Sequence, residues 1–345
     1  MTGWCNMIGI RADANNIVAT GHIMRCITIA KQLQRLGQEV VFIIADEYPC
    51  EILKMQQMPY MILNSDWKHM NDELDSMKKV IVENDIKKVL VDSYQADTRY
   101  LKALGELCKV IYIDDLFEEI YPVDMIINYN GFADDFPYHE KYDLHTKLLL
   151  GPMYVPLREE FSKIKGQYYC NKQILLSSGG GDRFRAMLGI LKASLHYDFF
   201  KEATFHVVIG GFLENKEELL EFSKQCKNIV VHEQITNMAE LMSQCDMAIS
   251  AAGTMLYELC AMQVPTVFFM AADNQRYDSD YFMKDERMIF TGDVRESREM
   301  CFKTICEETI RLLEDDNRRM LMRNKLHLVT DGDGAARIAK SIVLL

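Results

Sequence analysis

Four stretches of this 345-residue chain carry side chains able to do chemistry. In "ATGHIMRC" (19–26), His22 follows Gly21 at the mouth of an amphipathic run. The positive end of a helix favours an uncharged imidazole, which can take a proton from water or a sugar hydroxyl as a general base. Taken alone, His22 also fits a helix-entry residue packing on its own loop. In "GGGD" (179–182), three glycines let the backbone come close to a ligand. The run is neither G-x-G-x-x-G nor a Walker A loop, and a tight strand-to-helix turn explains it equally well. In "AGTMLYE" (252–258), Gly253 and Thr254 open a helix with Thr254 as its expected N-cap, and the amides there form an anion site. Glu258 lies four residues on, on the same face, where it can accept hydrogen bonds from ribose or stand as a solvated acid favoured by the dipole. In "ADNQ" (272–275), Asp273, Asn274 and Gln275 offer three hydrogen-bonding side chains suited to sugar hydroxyls or amides, and an N-cap followed by solvated polar residues explains them equally.

Two further strand ends carry acids: "VDSYQAD" (91–97) brings Asp92, Ser93 and Tyr94, and "YIDD" (112–115) brings Asp114 and Asp115, a carboxylate pair of the kind that serves as general acid and base or as metal ligands. Adjacent residues of an extended chain face opposite ways, so only one of that last pair faces any given side. The other seven histidines form no H-E-x-x-H and no cluster with cysteine, so no metal site is expected. No G-x-S-x-G elbow is present, and Cys26, one turn after His22, reads as packing.

These residues need elements to hold them. Apolar β-rich runs recur at 7–13, 39–46, 88–93, 109–115, 124–128 and 147–151, separated by helical-period segments such as Ile23, Ile27, Ala30 and Leu33, which Gly37 ends. A polar passage at 157–172 breaks the pattern, which restarts at 173–178, 203–210, 228–234, 247–251, 265–271 and 288–292. Continuously apolar strands alternating with helices predict parallel sheets covered on both faces. The expected architecture is α/β: two Rossmann-like doubly wound domains, 1–158 and 159–345, the second including the C-terminal helices. In such sheets ligands bind beyond the carboxyl ends of the strands.

A formal charge of -12 without a basic stretch argues against nucleic acid as a partner. Ten scattered cysteines without a C-x-x-C pair read as free thiols. The N-terminus shows no basic region leading into an apolar core, and no apolar run approaches ~18 residues. A cytoplasmic, monomeric enzyme without membrane insertion is expected.

Taken in order, "IRADANNIVATGHIMRC", "VDSYQAD", "IDD", "LLLGPMYVPLREEF", "LLSSGGGD", "AISAAGTMLYELCAMQVP" and "ADNQ" resemble the PseG-type UDP-2,4-diacetamido-2,4,6-trideoxy-β-L-altropyranose hydrolases of pseudaminic acid biosynthesis. SpsG-like proteins and, more distantly, MurG-type glycosyltransferases are similar too. The resemblance implies a GT-B fold with the site between two domains, no cofactor, and a UDP-linked diacetamido-trideoxyhexose as substrate. It implies His22 as the base that activates water. On the sugar side it implies Arg11, Asp13, Gly21, Tyr94, Asn274 and Gln275. Around the nucleotide it implies Gly179, Gly180, Gly253, Thr254, Met255 and Glu258. Where the family writes A-G-G-S-x-L-W-E, this chain has "AAGTMLYE", keeping a small residue, a hydroxyl and an aromatic. The alternatives are a MurG-like transferase using the same donor, a UDP-GlcNAc hydrolysing 2-epimerase, and an inactive nucleotide-sugar binding protein. An NAD-linked oxidoreductase lacks its dinucleotide fingerprint.

Overall fold

The computed structural model describes residues 7–15, 20–164, 171–210, 213, 216–233 and 235–345. The chain divides into two compact units, Met1–Arg158 with Asp333–Leu345, and Glu159–Gly332.

The first unit is built on a seven-stranded parallel sheet. Its strands are β1 (Ile8–Ala12), β2 (Val40–Ile44), β3 (Tyr60–Ile62), β4 (Lys88–Asp92), β5 (Lys109–Ile113), β6 (Met125–Asn128) and β7 (Lys147–Leu150), ordered β3-β2-β1-β4-β5-β6-β7. All five residues of β1 and of β2 are buried, as a sheet covered on both faces requires. The helix Gly21–Arg35 buries Ile23, Ile27, Ala30 and Leu33, the stripe expected from the sequence. It ends with Gly37 at φ +77°, whose amide closes on Gln34 while Gln38 N–H reaches Leu33. Only β3 lies outside the strands foreseen: three half-buried residues at an edge have too short a period to register.

The second unit repeats the plan with six parallel strands. They are β8 (Gln173–Ser177), β9 (Thr204–Ile209), β10 (Ile229–Glu233), β11 (Met247–Ala251), β12 (Thr266–Met270) and β13 (Ile289–Asp293), ordered β10-β9-β8-β11-β12-β13. All six match apolar runs of the sequence. In both sheets the order reverses beside the first strand, between β1 and β4 and between β8 and β11. Those are the points where doubly wound sheets part their loops and receive ligands.

The expected boundary needs one correction. The sequence pattern predicts a second domain reaching residue 345, yet the helix Gly334–Val343 belongs to the first unit. Lys88 Nζ, on β4, donates to the terminal carbonyls of Ile342 (2.7 Å) and Val343 (2.9 Å), and Arg337 donates to Met153 O (3.1 Å). A cation on the orphan carbonyls of a helix end fixes the segment where it lies. A local apolar period cannot announce such a return.

Candidate active site

At the reversal point of the first sheet, His22 is the second residue of the helix that follows β1, and Asp92 is the last residue of β4. The register pairs Ala12 with Asp92, so both loops leave the sheet side by side. His22 Nδ1 lies 2.6 Å from Asp92 Oδ1. An ionised carboxylate only accepts, so Nδ1 carries the proton and Nε2 keeps the lone pair. The Asp92 carboxylate is held in turn by Arg25, whose Nε reaches Oδ2 at 2.6 Å and whose second nitrogen reaches Oδ1 at 2.5 Å, a two-pronged pair. Arg25 also lies 3.2 Å from His22 Nδ1, but both are donors, and they meet on the same carboxylate oxygen. Burial would push the Asp92 carboxyl up; the charge and hydrogen bonds of Arg25, with those of His22, outweigh it and hold it well below the usual carboxylate range.

Arg25 reaches further. Its other terminal nitrogen donates to Asp115 Oδ2 at 2.9 Å and to the Tyr129 hydroxyl. Tyr94 O–H donates to the same Asp115 oxygen at 3.0 Å, and its ring meets the His22 ring edge-on, centroids 4.7 Å apart at 82°. Burial, then the neighbouring Asp115, push the Tyr94 phenol well up, so it stays a neutral donor. Asn130 Nδ2 donates to Asp115 Oδ1 at 3.2 Å and to Asn128 Oδ1 at 3.0 Å. The alternation expected of the acid pair is observed. Asp114 turns the other way, accepting from Tyr138 O–H (2.7 Å) and the amides of Leu116 and Phe117, while burial raises its carboxyl.

His22, Arg25 and Cys26 stand at i, i+3 and i+4, hence on one helix face. Cys26, fully buried, sends Sγ to Asp92 Oδ2 at 3.4 Å. The sequence singles out His22, Asp92, Tyr94 and Asp115 by type and place, but neither Arg25 nor Tyr129. The available signal was an arginine three residues after the histidine, hence on the histidine's side of the helix. Gly21 lies exposed at the helix start with open space around it. The preceding residues 16–19 lie outside the described residues.

Arg11 and Asp13 require a correction. Arg11 is fully buried; its guanidinium donates to Glu73 at 2.7 and 3.0 Å and to Asp13 Oδ2 at 2.5 Å. Tyr100 and Ser65 hydroxyls complete Glu73, and Asp13 Oδ1 accepts the Ala45 amide at 2.8 Å. With every donor turned inward, Arg11 lines no sugar pocket; it ties β1 to the segment around Glu73.

In the second unit the corresponding point is made of backbone. Gly179, after β8, has φ +82°, and its amide reaches Ser177 Oγ at 3.2 Å. Its carbonyl and that of Gly180 lie directly over Gly210, where an added Cβ would sit 2.3 and 2.6 Å from the two oxygens. Asp182 closes the loop by accepting the amides of Ala186 (2.7 Å) and Met187 (3.0 Å), and burial raises its carboxyl. After β11, Gly253 has nothing within 4 Å of its Cβ position. Thr254 is exposed at the N-cap of Met255–Ala261 but makes no side-chain cap bond, which corrects the capping role expected of its hydroxyl. Met255 and Glu258 are half-buried. Asn274 is exposed; Gln275 Oε1 is taken by the amides of Ala271 (2.7 Å) and Ala272 (3.2 Å), so that oxygen shapes the turn rather than meeting a sugar. Among the described residues no group of three or more His, Cys, Asp or Glu is placed to hold a metal ion, and no helix is long and apolar enough to cross a membrane.

Known proteins share this plan. Residues 199–330 match the family described as "Protein of unknown function (DUF354)". The chain is 26% identical over 292 residues to an uncharacterized protein of Methanocaldococcus jannaschii, covering 80% of this chain and 58% of that one, so it spans less than two thirds of that relative. It is 22% identical over 279 residues to the UDP-2,4-diacetamido-2,4,6-trideoxy-β-L-altropyranose hydrolase of Campylobacter jejuni, covering 79% and 95% of the two chains. The crystal structure of Acinetobacter baumannii MurG superposes with a TM-score of 0.68 at 14% identity, covering 99% of this chain and all of that one. The fold is GT-B: two α/β domains, each on a parallel sheet.

Proposed function

We propose that this protein is a UDP-sugar hydrolase in which His22 activates water. The observation that carries the reading is the His22–Asp92 contact: a carboxylate on Nδ1 fixes the tautomer and leaves Nε2 to take a proton. In the proposed step the water oxygen bonds to the anomeric carbon and its proton goes to Nε2. The bond from that carbon to the phosphate oxygen breaks, and UDP leaves with the electron pair. The Gly179–Gly180 loop and the Gly253–Thr254 turn would carry the diphosphate, and Glu258 the ribose. Asn274 and Tyr94 would meet the sugar. The relative in Campylobacter jejuni supports a diacetamido-trideoxyhexose, and with it a place in nonulosonic acid biosynthesis.

The likeness to MurG supports a second reading, a transferase using the same kind of donor. The two separate in one assay. Purified protein is given UDP-2,4-diacetamido-2,4,6-trideoxy-β-L-altropyranose without acceptor, with and without chelator, and UDP and free sugar are followed. A hydrolase releases both in equal amounts. Release only when an acceptor is added favours the transferase. Unchanged turnover in His22→Asn sinks the base assignment in either case.

A further inference from the structure

Asp115 follows β5, one strand beyond Asp92, and it holds two side chains that meet the imidazole, those of Arg25 and Tyr94. We propose that Asp115 is a positioning residue for His22, acting through Arg25 and Tyr94 and supplying the negative charge that balances the imidazolium formed when water is deprotonated. This rests on the reading of His22 as the base.

Asp92 alone would form the usual His–Asp pair, but its carboxylate is also gripped by Arg25 through both oxygens. That pair is neutral, and a neutral pair does little for a positive charge forming on the ring. Asp115 sits on the far end of the same guanidinium, 2.9 Å from it. The arginine is therefore shared between two carboxylates, and with neutral His22 the cluster carries one surplus negative charge. Transfer of a proton to Nε2 brings the cluster to zero. Asp115 takes no proton in the step; the imidazolium returns its proton to solvent.

Asp115 Oδ2 accepts both Arg25 and Tyr94 O–H, so one oxygen anchors the support beneath His22 and the ring that stands edge-on against it. Asn130 holds the other oxygen, and Asn130 is itself held by Asn128. Side chains on four segments are thereby tied together, with Tyr94 half-exposed at the rim and Asp115 and Asn130 buried, where hydrogen bonds to charged groups are strong. The titratable or charged groups around His22 among the described residues are Arg25 and Cys26 from its own helix, Asp92 from β4, Tyr94 after it, Asp115 after β5 and Tyr129 after β6.

Asp115→Asn keeps the shape and removes the charge. With the UDP-sugar named above, kcat should fall about tenfold or more, KM should stay within about threefold, and the acid limb of the kcat profile should move down by about one pH unit. Removing a negative charge makes the imidazolium harder to form, which sets that sign. Tyr94→Phe removes one tether without changing the charge, so it should lower kcat and leave the acid limb in place. Asp115→Glu, which restores the charge, should return the limb to the wild-type position.

A readout independent of turnover is the His22 ring followed by NMR against pH. Its midpoint should fall in Asp115→Asn and recover in Asp115→Glu. If His22→Asn abolishes turnover while Asp115→Asn leaves kcat, acid limb and ring midpoint at wild-type values, this proposal fails and the base assignment stands. If His22→Asn is fully active, the base assignment itself fails. Should Asp115→Asn not fold, Arg25→Lys carries the test: charge is kept but a single ammonium cannot grip both carboxylates, so unaltered kcat there overturns the bridging role.

Discussion

The two sheets reverse their strand order at equivalent places, but the two reversal points are furnished in opposite ways. Between β1 and β4 the loops deliver charged side chains: His22, Arg25 and Asp92, with Asp115 one strand further on. Between β8 and β11 they deliver glycines, with Gly179 and Gly180 resting on Gly210 and Gly253 open to its surroundings. Topology fixes where a ligand can be met, and the furnishing fixes what can be done to it. A buried charge needs partners on several elements, so the first point is a network in which each group is held by the next. A backbone surface needs the Cβ positions to be empty, so the second is a matter of absent side chains. The carboxylates follow the same division. Asp92 is spent on a histidine and an arginine, Asp182 on two helix amides.

The sharpest way to break this comparison is to change each point in turn and ask which property is lost. His22→Asn should lower kcat by roughly 10²–10⁴-fold, the range for a positioned base, and leave UDP affinity unchanged by calorimetry. Gly210→Ala should do the reverse. Its Cβ would lie 2.3 Å from the Gly179 carbonyl oxygen, and that contact is backbone, which cannot swing away. The Gly179–Gly180 loop must shift, so UDP affinity should fall about tenfold, while kcat at saturating substrate changes less. A Gly210→Ala enzyme with wild-type UDP affinity would mean that the glycine loop does not bind the nucleotide.

The fold was legible because its signals are local. Twelve apolar runs mark strands, and the stripe from Ile23 to Leu33 marks the helix that carries His22. The return of residues 333–345 to the first unit was not, since it depends on Lys88 meeting the helix end 254 residues later in sequence. The site divides in the same manner. His22 and Tyr94 stand out by type at strand and helix ends, whereas Arg25 earns its role only through Asp92, 67 residues away, and Asp115, 90 residues away. Arg11 misled for the complementary reason. Its neighbour Asp13 suggests a polar loop, and only the distant Glu73 turns the guanidinium inward. Gly210 carried no signal at all, because its requirement is the carbonyl oxygens of two other glycines.

The smallest effect expected is in stability against pH, and its sign distinguishes the two aspartates. Asp92 has its folded-state carboxyl depressed, chiefly by Arg25 against the opposing effect of burial. Its contribution is therefore complete above the ordinary carboxylate value of about 3.9 and is lost as pH falls toward the depressed folded value. Asp182 is the converse: burial raises its carboxyl despite the two amides it accepts, so its contribution is complete below the ordinary value and declines as pH rises through the raised one. Urea midpoints between pH 3 and 5 read both. Asp92→Asn should flatten the loss of stability on acidification, and Asp182→Asn should steepen it. Equal slopes in the two variants would mean that the carboxylates are held alike, and the division between a charge-built point and a backbone-built one would lose its electrostatic half. Opposite slopes would tie that division to the residues themselves, since the strand order at the two reversal points is the same.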